Sequence, residues 1–181
     1  MILTNAEYKD YLEAHLHFLF FAGLRLKLIP KNTSFETFLD IDLKIKFKCR
    51  QAIIEDASLL EDYLKLNNKS LTENQINILN GFKKCISGKF IIYKCLTNYA
   101  IFINAVDNKF YAVKALGDSF EDFFSDFPVL VQTTILPFNN KIIYDGFFET
   151  PVMYIGSNMT KSFDQMYRKA KKQKKILMYI D

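Results

Sequence analysis

Few residues in this chain of 181 have the types and spacing that chemistry needs. The two histidines, His15 and His17, stand two positions apart. On a helix that spacing turns them about 200° from one another, so they cannot share one metal ion. One is expected inside and the other nearer the surface. The three cysteines, Cys49, Cys85 and Cys95, are an odd and sparse set, and a turn signal separates the last two. That is not a metal-ligand spacing. They read as reduced core thiols, nothing marks one as an activated nucleophile, and no cofactor or metal is implied. A P-loop, a dinucleotide glycine fingerprint, a nucleophile elbow and a zincin motif are all missing from the sequence. Its six glycines do not cluster.

Asp145 is the most distinctive acid, because it stands beside Tyr144 and before Gly146. A catalytic carboxylate needs a second acid, a histidine or a metal, and no spacing supplies one. Asp before Gly is foremost turn chemistry. Gly156-Ser157-Asn158 leads into a helical pattern, where free backbone N–H groups could take an anion or be satisfied by an ordinary cap.

The charge distribution carries more. Net charge is +4, yet Arg168, Lys169, Lys171, Lys172, Lys174 and Lys175 put six cations into eight residues with no acid among them. The remaining 18 basic and 20 acidic residues leave the rest of the chain at −2. In the same segment Phe163, Met166, Tyr167 and Ala170 fall at i, i+3, i+4 and i+7, an apolar stripe for a core. Arg168, Lys171, Lys172 and Lys175 share another face. A helix anchored on one side and cationic on the other suits phosphate contacts, which give sequence-independent affinity for nucleic acid. The plain alternative is a solvated face whose late cations complement the helix dipole.

These residues need elements to hold them. Half the residues are hydrophobic and 24% are charged, an ordinary globular composition. Thr4-Asn5-Ala6-Glu7 is a capping-box pattern that opens a helix towards Leu28, stopped by Pro30. Its apolar run, Leu16 to Leu24, is far short of a membrane span. Ile41, Leu43, Ile45 and Phe47 alternate as in a strand, but the helix formers that follow favour a helix over 40–54, with Leu43, Phe47 and Ile54 on one face. Ser58 caps a short helix through Leu66. Ser70 and Glu73 form a second box, opening a helix that Ser87-Gly88 ends. Then the period changes. Runs over 89–96, 99–106 and 110–115 read as an antiparallel meander. Asp118 caps a short helix over 119–126. Strands over 129–137 and 141–148 join through Asn139-Asn140, residues that tolerate the positive φ of a two-residue hairpin. A helix over 160–174 and an apolar tail, 176–180, close the chain. The tail could return as an edge strand.

The hairpin carries a resemblance. Gly88-Lys89-Phe90, Leu136-Pro137-Phe138, Lys141 to Gly146, Tyr154-Ile155-Gly156, Ser162, Tyr167 and Ala170-Lys171 resemble the pattern of a family of uncharacterised bacterial proteins. That pattern has more glycines after Gly156, where this chain has Ser157-Asn158. The resemblance implies a fold grouping and no reaction.

The expected fold is α+β. A helical half, 1–87, packs on a mostly antiparallel sheet of about five strands, 88–181, closed by the basic helix, all as one cytoplasmic domain with no membrane span. The function expected is a non-enzymatic module that contacts RNA, or an acidic or nucleic-acid-handling protein, through the six cations. Size and composition suit an accessory or inhibitor protein of a mobile element. Two other readings stand beside it. One is an enzyme with a site near Tyr144, Asp145 and Gly156. The other is a protein that docks a partner through its apolar N-terminal helix or its C-terminal tail. Oligomeric state is not written in the sequence.

Overall fold

The computed structural model describes residues 1–180, apart from the side chains of Thr150, Ser157 and Asn158. It is an α+β chain that divides into two compact units: a helical one, Ala6–Lys83, and a sheet-based one made of Met1–Asn5 and Lys84 onward. The expected boundary near 87 therefore lies a few residues earlier, and each half is compact on its own.

The helical unit contains α1 (Asn5–Arg25), α2 (Phe35–Leu39), α3 (Leu43–Glu55), α4 (Ser58–Asn67) and α5 (Glu73–Asn80). Along α1, Tyr11, Ala14, His15, Phe18, Leu19 and Ala22 are buried at helical spacing. The flanking residues are covered too: His17 stacks on Phe35 at 3.8 Å, and Phe21 packs on Tyr63. Helix α1 stops at Arg25, short of Leu28, because Lys27 takes a left-handed φ of 58° and the Gly23 carbonyl accepts from the Leu28 N–H. The alternating segment is helical, as expected, but on a different face. Cys49, Arg50 and Ile53 are buried, whereas Leu43 is 66% exposed. The Arg50 guanidinium lies 5.3 Å over the Phe47 ring, an aromatic partner that the strand-like alternation obscures. Two caps also shift. Asp56, not Ser58, accepts from the Ser58 N–H at the start of α4. The capping box of α5 is Thr72 with Gln75, because the helix begins at Glu73 and its N-cap position is Thr72; Ser70 instead donates its hydroxyl to the Asn67 carbonyl.

The second unit holds β1 (Ile86–Cys95), β2 (Ala100–Asn104), β3 (Phe110–Lys114), α6 (Phe120–Phe123), β4 (Val129–Phe138), β5 (Lys141–Tyr144), β6 (Glu149–Tyr154), α7 (Ser157–Lys172) and β7 (Ile176–Leu177). Ser87 and Gly88 do not end a helix. Helix α5 ends at Asn80, a 3₁₀ turn over Gly81–Lys84 follows, and Ser87 and Gly88 pair in β1 with Thr134 and Thr133. The meander is present: β1 pairs with β2, and β2 with β3, both antiparallel. Strand β1 uses its other edge as well, pairing Ile86–Ile92 with β4. Strand β5 pairs antiparallel with β4 and parallel with β3. The pairings therefore run β1-β2-β3-β5-β4 and back to β1, closing five strands into a Greek-key barrel. Among the described residues seven strands are paired, more than the five expected. The additions are β6, on the edge of β4, and the tail strand β7, parallel to β3.

Closure explains the burial pattern. An antiparallel sheet with one wet face alternates, yet all of Ala100, Ile101, Phe102 and Ile103 are buried. Phe102 packs on Phe90 and on Phe120 of α6, inside the barrel. Ile101 and Ile103 belong instead to a second cluster, with Ile91, Tyr93 and Phe110, that lies under Phe163, Tyr167 and Ala170 of α7. The hairpin turn is as expected, with Asn139 and Asn140 at φ 45° and 58° and Phe138 opposite Lys141.

Candidate nucleic-acid interface

Helix α7 exists because its sequence is amphipathic, and it lies where its stripe can be buried. Phe163, Tyr167 and Ala170 are between 6% and 8% exposed and cover the outer face of β1, β2 and β3. The helix is two residues shorter at its C-terminus than the sequence suggests. Lys174 adopts φ 53°, and the Lys175 N–H bonds to the Ala170 carbonyl, a left-handed cap formed without glycine. Arg168, Lys169, Lys171 and Lys172 are thus on the helix, and Lys174 and Lys175 are in the turn that leads to β7. All six are exposed.

The stripe sets where each cation stands. Lys172 and Arg168 lie opposite the buried side. Asp164 and Lys171 occupy one flank, and Lys169, Met166 and Gln173 the other. On the first flank the barrel contributes a cation that the sequence pattern did not reveal. Lys94 of β1 holds its Nζ 4.0 Å from the Tyr167 ring centroid and 4.6 Å from that of Tyr93. The Tyr93 hydroxyl donates to Asp164 Oδ1, and Lys94 Nζ is 3.4 Å from the Tyr93 oxygen. Burial lowers the Lys94 pKa and the charge of Asp164 raises it, while Lys171 and Arg168 lower it further. Lys94 is therefore within electrostatic reach of Asp164, Lys171 and Arg168. For Tyr93, burial and then the bond to Asp164 raise the pKa, which keeps the phenol protonated.

On the second flank a groove of about 350 Å³ separates α7 from the β2–β3 turn. Phe110, Met166 and Ala170 line its apolar part, and Lys169 and Lys175 bring positive charge to it. Lys109 is paired with Asp107 at 3.0 Å.

The other sequence candidates have different surroundings. Gly156 is exposed and N-caps α7; its carbonyl accepts from the Met159 N–H at 3.1 Å, which is ordinary helix initiation. The side chains of Ser157 and Asn158 lie outside the described residues. Asp145 is 1% exposed and its Oδ1 accepts from the Phe147 N–H at 3.2 Å, fixing the turn in which Gly146 takes φ 93°. Tyr144 stacks on Phe148 at 4.9 Å and meets Phe120 edge-on at 5.2 Å. His15 is buried and His17 partly exposed. Cys49 is buried, and burial pushes its thiol up to about 11. Burial, with the charge of Glu121, pushes Cys95 up to about 12. Both shifts disfavour a nucleophilic thiolate. Among the described residues no helix is long and apolar enough to cross a membrane, and no group of His, Cys, Asp or Glu is placed to hold a metal ion.

The strand aromatics do not form an open stacking platform. Tyr93, Phe102, Phe110 and Tyr111 are all at most 5% exposed, and Tyr99 is half-buried. The chain matches no protein-family profile, no curated protein and no solved structure.

Proposed function

We propose that the protein is a non-enzymatic binding module that contacts RNA through the exposed basic face of α7. The observation that carries this is the division of that helix. Phe163, Tyr167 and Ala170 fix it to the barrel, while Arg168, Lys171 and Lys172 face outward with Lys94 drawn in beside them. A helix backbone held by a packed stripe presents its cations in a fixed row of origins, which suits a phosphate backbone. A five-stranded Greek-key barrel closed in this order is also an architecture on which oligonucleotide sites of the OB type are built, an analogy of topology only. In such barrels the ligand lies against strands two and three. Here α7 covers that face, so the contact surface moves out to the helix. Such a module would serve as the accessory or inhibitor protein that its size and composition suit.

Affinity capture of the tagged chain from its host, with and without nuclease, tests this reading. RNA should co-purify, disappear on ribonuclease treatment, and be missing when Lys171, Lys172 and Lys175 are changed to Glu. Recovery of the same proteins from all samples, with no nucleic acid in any, would overturn it.

A protein-docking reading is favoured by one observation. Leu177, Met178 and Tyr179 are 40%, 47% and 59% exposed at the end of the chain. A chain ending at Lys175 removes them together with β7. Unchanged oligomeric state and partner capture would exclude the tail as an interface.

A further inference from the structure

The groove beside α7 combines features that the basic face lacks. Its floor is apolar, from Phe110, Met166 and Ala170. Its rim holds two side-chain amides, Asn108 on the β2–β3 turn and Gln173 at the end of α7. Lys169 and Lys175 stand at the same rim, and the Lys109–Asp107 pair adds no net charge. At about 350 Å³ the groove is at the small end of ligand pockets, the size for one small planar group. It is continuous with α7, which supplies both Lys169 and the phosphate-binding face. The turn that forms its other wall is set by the backbone. Asn108 sits at φ 56°, and its N–H bonds to the Asn104 carbonyl at 2.9 Å. The wall therefore does not depend on the Asn108 side chain.

We propose that this groove takes one unstacked nucleobase of a single-stranded RNA. The base packs on the partly exposed Met166, its polar edge meets Asn108 and Gln173, and Lys169 and Lys175 hold the flanking phosphates. The chemistry is that of single-strand recognition, in which a splayed base finds an apolar surface and hydrogen bonds to its edge. A duplex keeps its bases stacked and cannot offer one. This inference rests on the reading of α7 as an RNA-contacting helix and adds a base site to it.

The test is fluorescence anisotropy on the full chain, with labelled oligo(U), the same strand made abasic, and an RNA duplex. The wild-type chain should bind oligo(U) about tenfold more tightly than the abasic strand, about 1.4 kcal/mol. Gln173→Trp, which fills the groove, should reduce that gap to about twofold. The salt dependence should be unchanged, because every lysine is kept. Asn108→Gly with Gln173→Ala, which preserves the turn conformation, should narrow the gap as well. Equal binding of base-bearing and abasic strands, or a gap that survives Gln173→Trp, overturns the base site but leaves the helix reading intact. If no strand binds at any salt concentration, both fail.

Discussion

The Tyr93 hydroxyl donates to the Asp164 carboxylate and so ties β1 to α7 across 71 residues of sequence. The bond sits at the edge of the stripe that seats the helix, under the side chain of Lys94. It fixes Asp164 beside Lys94, whose charge also feels Arg168 and Lys171.

Tyr93→Phe should therefore loosen α7 without changing its apolar contacts. Loss of a hydrogen bond to a charged group costs about 1.5–3 kcal/mol. The chain has no tryptophan, so urea unfolding followed by far-ultraviolet circular dichroism is the suitable measurement. The pH dependence follows from sign. The Tyr93 pKa is raised in the folded chain, first by burial and then by Asp164. Its contribution is complete below the ordinary tyrosine value near pH 10 and is lost as pH rises through the folded value. Wild-type stability should fall above about pH 10, and Tyr93→Phe should fall less.

His15 predicts the behaviour of the helical unit in acid. Burial, assisted by the charge of Arg50, lowers its pKa to about 3, so the folded chain keeps the ring neutral while the unfolded chain protonates it near 6.5. A depressed folded value means that stability is full above the unfolded pKa and declines as pH falls towards the folded one. The loss from this group alone should be about 2 kcal/mol between pH 8 and pH 5. His15→Leu should remove most of that slope in urea titrations at the two pH values.

Gly146 tests the hairpin. It holds φ 93°, and an added Cβ would stand 3.3 Å from Leu116 Cδ1. Gly146→Ala should destabilise the barrel by about 1–2 kcal/mol through backbone strain alone. Thermal melts by circular dichroism should register the change. Asn140→Gly, where φ is 58°, should be close to neutral by the same logic.

What the sequence made legible was local. The Asn139-Asn140 turn, the stripe on α7 and the meander each follow from spacing and turn chemistry within a few residues. Barrel closure was not legible, because it needs β1 to pair along both edges, with Phe90 opposite Asn104 on one side and Val131 on the other. Nothing in a single strand's pattern distinguishes one paired edge from two. Lys94 was missed for a related reason: its neighbours Tyr167 and Lys171 are remote in sequence, and only the seating of α7 joins them. Arg50 reads as a surface residue by type, yet it is fully buried. The α5 cap falls on Thr72 rather than Ser70 because the helix begins at Glu73, two residues later than a cap at Ser70 requires.

We propose that the cations of α7 and its following turn contact an RNA backbone. The direct measurement is the affinity for a short single-stranded RNA as a function of salt, for the wild-type chain and for Lys171→Glu/Lys172→Glu/Lys175→Glu. All three side chains are exposed, so the melting curve of the variant should stay near that of the wild type, which verifies folding. Each phosphate contact contributes about −0.7 to the slope of log affinity against log salt for single strands. The variant should lose about a hundredfold or more in affinity at low salt, with a slope shallower by about 2. A folded variant with the wild-type affinity and the wild-type slope would contradict it.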